Sequence, residues 1–403
     1  MDDAGKRDQS PFPMRRACPF DPPPEYARLR AEAPVRKMAI PGGATAWLVS
    51  RHEDVRTVLT DPRFSADMTH PGFPSTTPEL LPSQREHRSF IRMDPPQHSR
   101  YRKALIPAFT VKRIAAMRPG IQSVVDGFID RLLATSSPVD LVEAFAMPVP
   151  SMVICQLLGV PYADHDFFQE RTRTLVSATS TPEQVTAAMQ DLHNYLDELI
   201  GRKLRAPADD LLGRLVTQHL EPAGELTRED LLMTCRLLLA AGHETTANMI
   251  ALGTVVLLEH PDQLALLRSE ARLLPNVVEE LLRYLSIADY FPARLAVEDV
   301  EIGGELIRAG EGVFPLLAAA NWDPAVFRDP HELDIRRGTR RHLAFGNGVH
   351  QCLGQNLARL ELEIVFTTLF ERIPGLRLAA PADTLPYKRD SLIYGVEKLP
   401  VTW

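Results

Sequence analysis

The run LLLAAGHETTANMIALGTVVLL, residues 237–258, restricts the possible folds more than any other part of this chain. A stretch of that length and apolarity can cross a bilayer as a helix. Yet His243, Glu244, Thr245 and Thr246 lie near its middle, where lipid penalises polar and ionisable groups. The same segment suits a long helix at the centre of a large protein, apolar on every side because protein surrounds it. The chain is able to supply that surround: 403 residues, 45% hydrophobic and 24% charged, are ordinary globular proportions.

Around this helix the chain reads as mainly α with a minor β part. The segments 121–134, 185–204 and 274–286 place apolar residues at helical spacing, and so does 353–373, which ends before Pro374. Strand signals are fewer. TAWLVS (45–50) is short and apolar, and VEIGGELIRAGEGVF (300–314) sets Gly303-Gly304 between two alternating arms, a hairpin pattern. Residues 66–92 are broken by Pro71, Pro74, Pro78 and Pro82 and hold no clear element; a loop of that length in a compact chain is often a functional lid. Length alone suggests two or three domains. Without a repeat, a linker or a shift in composition, a single domain over 1–403 is the simpler expectation, with 1–18 as a flexible N-terminal extension.

A net charge of -7 argues against a nucleic-acid partner. The N-terminus is polar and proline-rich, without the apolar core of a signal peptide or membrane anchor, so a soluble cytoplasmic protein is expected. Four cysteines, Cys18, Cys155, Cys235 and Cys352, form no CxxC pair, which disfavours a disulfide framework and a structural zinc site.

Cys352 stands apart. In FGNGVHQCLGQNLAR (345–359) it follows Gly346 and Gly348, precedes Gly354, and lies at or just before a helix start. Glycines permit positive φ or close backbone approach, and the amides of a helix N-terminus favour a thiolate. Three uses compete. A nucleophile needs a base, for which His350 is the nearby candidate. A zinc ligand needs three more donors, and none lies at familiar spacing. A haem ligand needs one sulfur, backbone donors and a flat apolar surface. The bland alternative is a buried, inert cysteine, which explains neither the glycines nor the helix. GNGVHQ is not a dinucleotide fingerprint, since Gln351 stands where the third glycine belongs.

This segment resembles the haem-binding loop of the cytochrome P-450 superfamily, carrying its Phe345, Gly346, Gly348, Cys352, Gly354 and Ala358. The resemblance implies the cytochrome P-450 fold, a triangular helical haem domain with a small β-rich region. It implies that Cys352 is the proximal iron ligand of haem b. His350 matches the soluble bacterial branch, where it meets a haem propionate. Within MDPPQHSRYRK (93–103), Asp94 suits an N-cap and Pro95 a first helical residue, which sets His98 and Arg102 one turn apart. By resemblance these two, with Arg294 in FPARLAVED, are propionate partners. Ala241 is a further haem contact.

AAGHETTAN (240–248) is not a zinc-protease motif, because Ala247 stands where HExxH requires histidine. Gly242 with two threonines suggests a locally loosened helix, and a buried carboxylate needs a task or a partner. The segment resembles the family's oxygen-activation motif, which makes Glu244 and Thr245 the acid–alcohol pair that relays protons. EELLR resembles the family's ExxR element, a structural brace formed by Glu280 and Arg283. One departure is Asn321-Trp322-Asp323-Pro324, where relatives usually carry arginine at the second position. LPVTW at the end of the chain resembles the bacterial group that tailors macrolides, polyenes and other polyketides.

The implied activity is a monooxygenase that inserts one oxygen atom of O2 into a bulky lipophilic secondary metabolite. Oxidative ring closure or coupling, and a non-oxygenating haem sensor, are the alternatives. Electrons would come from NAD(P)H through a separate ferredoxin and reductase. Arg102, Lys103, Lys112, Arg340 and Arg341 suggest a basic proximal surface for an acidic ferredoxin. A monomer is the default state. Expected substrate contacts, by region, are Phe90 and Ile91, Leu175 and Val176, Leu239 and Ala240, Ala288 and Phe291, and Ile393 with Tyr394. Arg85, Arg88 and Arg92 either meet a polar substrate or face water.

Overall fold

The computed structural model describes residues 12–86, 88–176, 180–220 and 226–403. The chain divides into two compact units. The first comprises Met1–Arg88, Arg283–Glu332 and Arg341–Gln351; the second comprises Ser89–Leu282, Leu333–Arg340 and Cys352–Trp403.

The first unit contains most of the β structure. Strands β1 (Val35–Ala39), β2 (Thr45–Val49) and β3 (Phe64–Ser65) form one sheet with β5 (Arg294–Ala296) and β8 (Gly312–Pro315), in the order β1-β2-β8-β5-β3. The expected strand at 45–50 is β2, which pairs parallel with β8 through Trp47↔Val313 and Leu48↔Phe314. The expected hairpin forms between β6 (Val300–Ile302) and β7 (Glu305–Ile307). Gly303 and Gly304 both take positive φ, 57° and 83°, as a two-residue turn between twisted strands requires. One face of the sheet packs Leu48, Leu295 and Phe314 with Tyr26, Met68 and Phe12. Described structure therefore begins inside the stretch that the sequence suggested as an extension. Phe12 is buried, and the Arg16 guanidinium donates to the Leu285 carbonyl at 2.7 Å.

Trp322, the departure from the family pattern, is accommodated within this unit. Its ring packs on Tyr284 with centroids 5.1 Å apart, and its indole N–H donates to the Tyr284 carbonyl at 3.0 Å. Beside it Asp323 accepts the His52 amide at 2.9 Å, at the start of the helix His52–Thr60. The proline-broken stretch is less irregular than expected. It contains a short helix, Leu81–Glu86, and two single turns, because prolines are tolerated in first turns.

The second unit is built around the central helix Arg228–Glu259. Thr227 caps it with a reciprocal box: its hydroxyl accepts the Asp230 amide at 3.1 Å and the Asp230 carboxylate accepts the Thr227 amide at 2.8 Å. Residues Thr246–Leu257 are buried without interruption. Helices Pro148–Leu158, Pro182–Arg205 and Gln355–Arg372 lie against it, which explains why the sequence shows no polar face there. Strands β4 (Val139–Asp140), β9 (Arg377–Leu378) and β10 (Pro400–Thr402) make a small sheet in the order β4-β10-β9. Among the described residues, no single helix is long and apolar enough to cross a membrane.

Candidate active site

Cys352 lies two residues before Gly354, the N-cap of the helix Gln355–Arg372. Its sulfur accepts the backbone N–H groups of Gly354 and Gln355, and the Arg102 and Arg359 guanidinium groups act on it. These four influences favour a thiolate, as the sequence suggested. Burial of the sulfur outweighs them and pushes the thiol pKa up. By accessible surface the residue is half-buried. Arg359 is itself held: it makes a two-pronged pair with the Glu279 carboxylate, at 2.6 and 3.1 Å, and Glu279 is buried. Nothing in the sequence singled out Glu279, because EE at 279–280 offers two equivalent carboxylates and only the fold separates them.

His98 and Arg102 share a face of the helix Gln97–Leu105. Its N-cap is Pro96, two residues later than the expected Asp94; Asp94 contributes its carbonyl, which accepts the His98 amide at 2.9 Å. His98 is buried. Arg102 is half-buried, and desolvation lowers its pKa while the charge of Cys352 opposes that effect. Phe90 packs on this helix, with its ring 6.0 Å from His98 and stacked 6.1 Å from Tyr101. Neighbouring Ile91 is half-buried.

In the first unit, Gly346 and Gly348 take φ of 67° and 72°. A Cβ on Gly348 would stand 2.7 Å from the Leu59 carbonyl oxygen. Gly354 is different, with φ of -79° and no steric demand beyond ordinary contact with the Cys352 sulfur. Phe345 lies near His342, with ring centroids 6.2 Å apart. His350 ends a single turn, Gly348–His350, that Asn347 caps through the Gly348 amide at 2.7 Å. Arg294 is buried in β5 and donates to the Pro292 and Ala293 carbonyls at 3.2 and 3.0 Å. Ala288 and Phe291 flank Asp289, whose carboxylate accepts the Tyr26 hydroxyl at 2.6 Å and the Ala318 amide at 2.8 Å.

The central helix carries the expected acid and alcohol. The Thr245 hydroxyl donates back to the Ala241 carbonyl at 2.7 Å. The helix nonetheless runs uninterrupted from Arg228 to Glu259, so it is not opened at this point. Gly242 instead serves packing, since a Cβ there would lie 3.0 Å from Ile154. Ala240 and Ala241 are exposed in mid-helix while Leu239 is buried. His243 turns away to the Met147 carbonyl at 3.1 Å. Glu244 meets Lys388, Oε1 to Nζ 3.6 Å, in an environment where both side chains are mostly buried. Burial raises its pKa, against the lowering effect of Lys388 and Asn248. Sequence reasoning missed Lys388, which is 144 positions away (388 − 244) and carries no motif.

The brace residues divide their work. Glu280 accepts the Arg337 guanidinium at 3.1 Å and the Asp334 amide at 3.0 Å. Arg283 is wholly buried and donates to the carbonyls of Asn321, Pro330 and Glu332 at 2.8–3.2 Å. Of the other expected contacts, Tyr394 is buried and stacked on Tyr387, and Ile393 is half-buried. The side chains of Leu175 and Val176 lie outside the described residues. The Arg85 guanidinium donates to the Met68 carbonyl at 2.8 Å and Arg88 pairs with Asp67 at 3.6 Å. Arg92 is half-buried by accessible surface, and desolvation lowers its pKa to about 10. Arg340, Lys103 and Lys112 are exposed, and Arg340 lies 3.5 Å from Glu279.

A half-buried cysteine at a helix start, with buried His98 and half-buried Arg102 one turn apart on one helix, fits the donor set of a haem-thiolate site. Among the described residues no group of histidine, cysteine or carboxylate side chains gathers to hold a metal ion, as zinc would need.

Comparison with known proteins gives the same answer. The family profile described as Cytochrome P450 matches residues 38–222 and 178–373. A Vitamin D3 dihydroxylase from Streptomyces griseolus is 50% identical over 397 residues, covering 98% of this chain and 97% of that protein. A 20-oxo-5-O-mycaminosyltylactone 23-monooxygenase from Streptomyces fradiae is 45% identical, covering 100% and 94%. The crystal structure of cytochrome P450 MoxA from Nonomuraea recticatena, a CYP105 protein, superposes with a TM-score of 0.94 at 54% identity, over 98% of this chain and 99% of that one.

Proposed function

The chain belongs to the cytochrome P450 family and to its CYP105 group, and on that premise we propose that it inserts one atom of dioxygen into a bulky lipophilic secondary metabolite. It is a monooxygenase by family. The carrying observation is Cys352 two residues before the N-cap of the helix Gln355–Arg372, where the Gly354 and Gln355 amides and the Arg102 and Arg359 guanidinium groups act on its sulfur.

When bound at Cys352, haem b supplies dioxygen activation, and the iron supplies the positive charge that burial denies the thiolate. The amides of Gly354 and Gln355 hold the sulfur in place and temper its charge. His98, Arg102, Arg294 and His350 are the proposed propionate partners, with Phe345, Gly346 and Ala241 as haem contacts. Thr245 and Glu244 would serve as the acid–alcohol pair, Glu244 holding or releasing a proton at its carboxylate and Thr245 passing it on through its hydroxyl. Glu280 and Arg283 brace the fold and touch no reacting atom.

The substrate class is supported by the names of relatives, which act on a vitamin D3 and on a mycaminosyltylactone. The expected contacts Phe90, Ile91, Leu239, Ala240, Ile393 and Tyr394 are aliphatic or aromatic, as a lipophilic substrate would need. Electrons are proposed to come from NAD(P)H through a separate ferredoxin and reductase.

The test is the visible spectrum of the ferric protein, titrated with macrolides, polyenes and smaller lipophilic compounds. A Soret band that shifts from low to high spin with one compound class supports the assignment and names the class. A well-folded protein with no haem band refutes it.

A further inference from the structure

Glu244 has a partner that the acid–alcohol motif does not provide. Lys388 comes from the C-terminal segment, where its amide donates to the Gly395 carbonyl at 2.9 Å. Tyr387 and Val396 form a bridge beside it. The Tyr387 and Tyr394 rings stack, 5° from parallel with centroids 6.0 Å apart, and the Tyr387 hydroxyl donates to the Ala382 carbonyl at 2.8 Å. Lys388 is thus fixed at its base by an ordered hairpin, and its side chain is 15% exposed.

The hairpin sits directly on the central helix. A Cβ on Gly395 would lie 2.0 Å from the Asn248 Oδ1, so any side chain there would displace Asn248. Asn248 is one turn beyond Glu244 and buried, and its side chain and Lys388 both act on the Glu244 carboxylate. Two polar groups on one helix face therefore meet one largely buried ammonium group. The charged group that acts on Glu244 is Lys388, from the hairpin, while the neutral Asn248 amide acts from its own helix through a hydrogen bond. His243 points to Met147 instead, and the helix Pro148–Leu158 has no charged side chain. The helix Gln355–Arg372, which also packs here, carries a buried carboxyl at Glu361.

Consecutive helix residues point about 100° apart. A Glu244 carboxylate paired with Lys388 is therefore turned away from Thr245. We propose that Lys388 is a positioning residue for the proton relay: it pairs with the Glu244 carboxylate and keeps it turned toward the hairpin, and release of this pair frees the carboxyl to turn toward Thr245. The inference rests on the monooxygenase reading for its purpose, but the Lys388–Glu244 pair is measurable without turnover.

The experiment is infrared spectroscopy of the full-length holoprotein across a pH series, following the carboxylic-acid C=O stretch. Glu244→Gln identifies which band belongs to Glu244. Loss of an adjacent opposite charge raises a carboxyl pKa by about one unit or more. The Lys388→Gln protein is therefore expected to keep the protonated band to a pH about one unit higher than the parent. Lys388→Arg restores the parental midpoint, and Lys388→Met repeats the shift if the glutamine variant does not fold. In turnover, the acid limb of the pH profile moves upward with the infrared midpoint. An unchanged infrared midpoint in the folded Lys388→Gln and Lys388→Met proteins overturns the proposal and leaves the monooxygenase reading standing. A protein without a haem-thiolate spectrum removes that reading and leaves the ion-pair measurement valid.

Discussion

Replacement of Trp322 by alanine tests whether the fold around the family's arginine position has been rebuilt on an aromatic anchor. Trp322 is 8% exposed, stacked against Tyr284, and bonded through its indole N–H to the Tyr284 carbonyl at 3.0 Å. An aromatic side chain of this size buries roughly 150–250 Å2. At about 25 cal/mol per Å2 that corresponds to about 4–6 kcal/mol, an upper bound because unfolded chains are already partly compact. Measured large-to-small changes of this kind cost about 3–5 kcal/mol, and the orphaned carbonyl adds about 1 kcal/mol. Trp322→Ala should therefore destabilise by about 4 kcal/mol. Trp322→Phe keeps most of the apolar contact and removes the hydrogen bond, so it should cost about 1–2 kcal/mol. The assay is urea unfolding followed by near-ultraviolet circular dichroism, which reports aromatic packing. The visible spectrum of the folded variant checks that haem uptake is intact. The reasoning fails if Trp322→Ala costs less than about 1 kcal/mol, or if Trp322→Phe is as damaging as Trp322→Ala.

Other outcomes follow from the same contacts. Cys352→Ser should abolish the thiolate signature of the ferrous carbon-monoxide spectrum; an unchanged spectrum would remove Cys352 as the iron ligand. In Asp230, burial raises the carboxyl pKa, but the bonds from Tyr101 and Thr227 and the charge of Arg100 outweigh it and leave the folded value below 3.8. Its stabilisation is therefore present above the unfolded carboxylate value and is lost as pH falls through the folded one. Asp230→Asn should cost about 1 kcal/mol at neutral pH and progressively less in acid, seen as converging melting temperatures. Charge reversal at Arg340 with Lys112 should slow reduction by ferredoxin about tenfold at low salt, with the gap closing as salt rises; equal rates in stopped-flow reduction would contradict a basic docking surface.

Much of the helical framework was legible because it depends on local periodicity. The central helix announces itself through unbroken apolarity, and Gly303-Gly304 announces its hairpin because only glycine accepts that turn readily. Cys352 was legible for a related reason: a dense run of glycine, cysteine and helix start is a backbone constraint written in consecutive residues. The errors were also local. Pro96 took the cap expected of Asp94, since proline already has helical φ. The Leu81–Glu86 helix hides in a proline-rich stretch because prolines are compatible with first turns. Gly242 suggested a loosened helix but serves close packing against Ile154, a neighbour that the sequence does not show.

Charge behaviour belonged to the tertiary structure. From sequence, the amides at a helix start favour a thiolate; in the fold, desolvation prevails and pushes the thiol pKa up. Glu279 and Glu280 are adjacent and chemically identical, yet one holds Arg359 and the other Arg337 and the Asp334 amide. Glu244 acquires Lys388 from the far end of the chain. The sequence by itself determined a helical protein with a sulfur on a glycine platform, because those features follow from short-range sterics and periodicity. Which charges meet, and which of them keep their protons, only the tertiary structure decided, because desolvation and Coulomb interaction depend on distance in space and on excluded water.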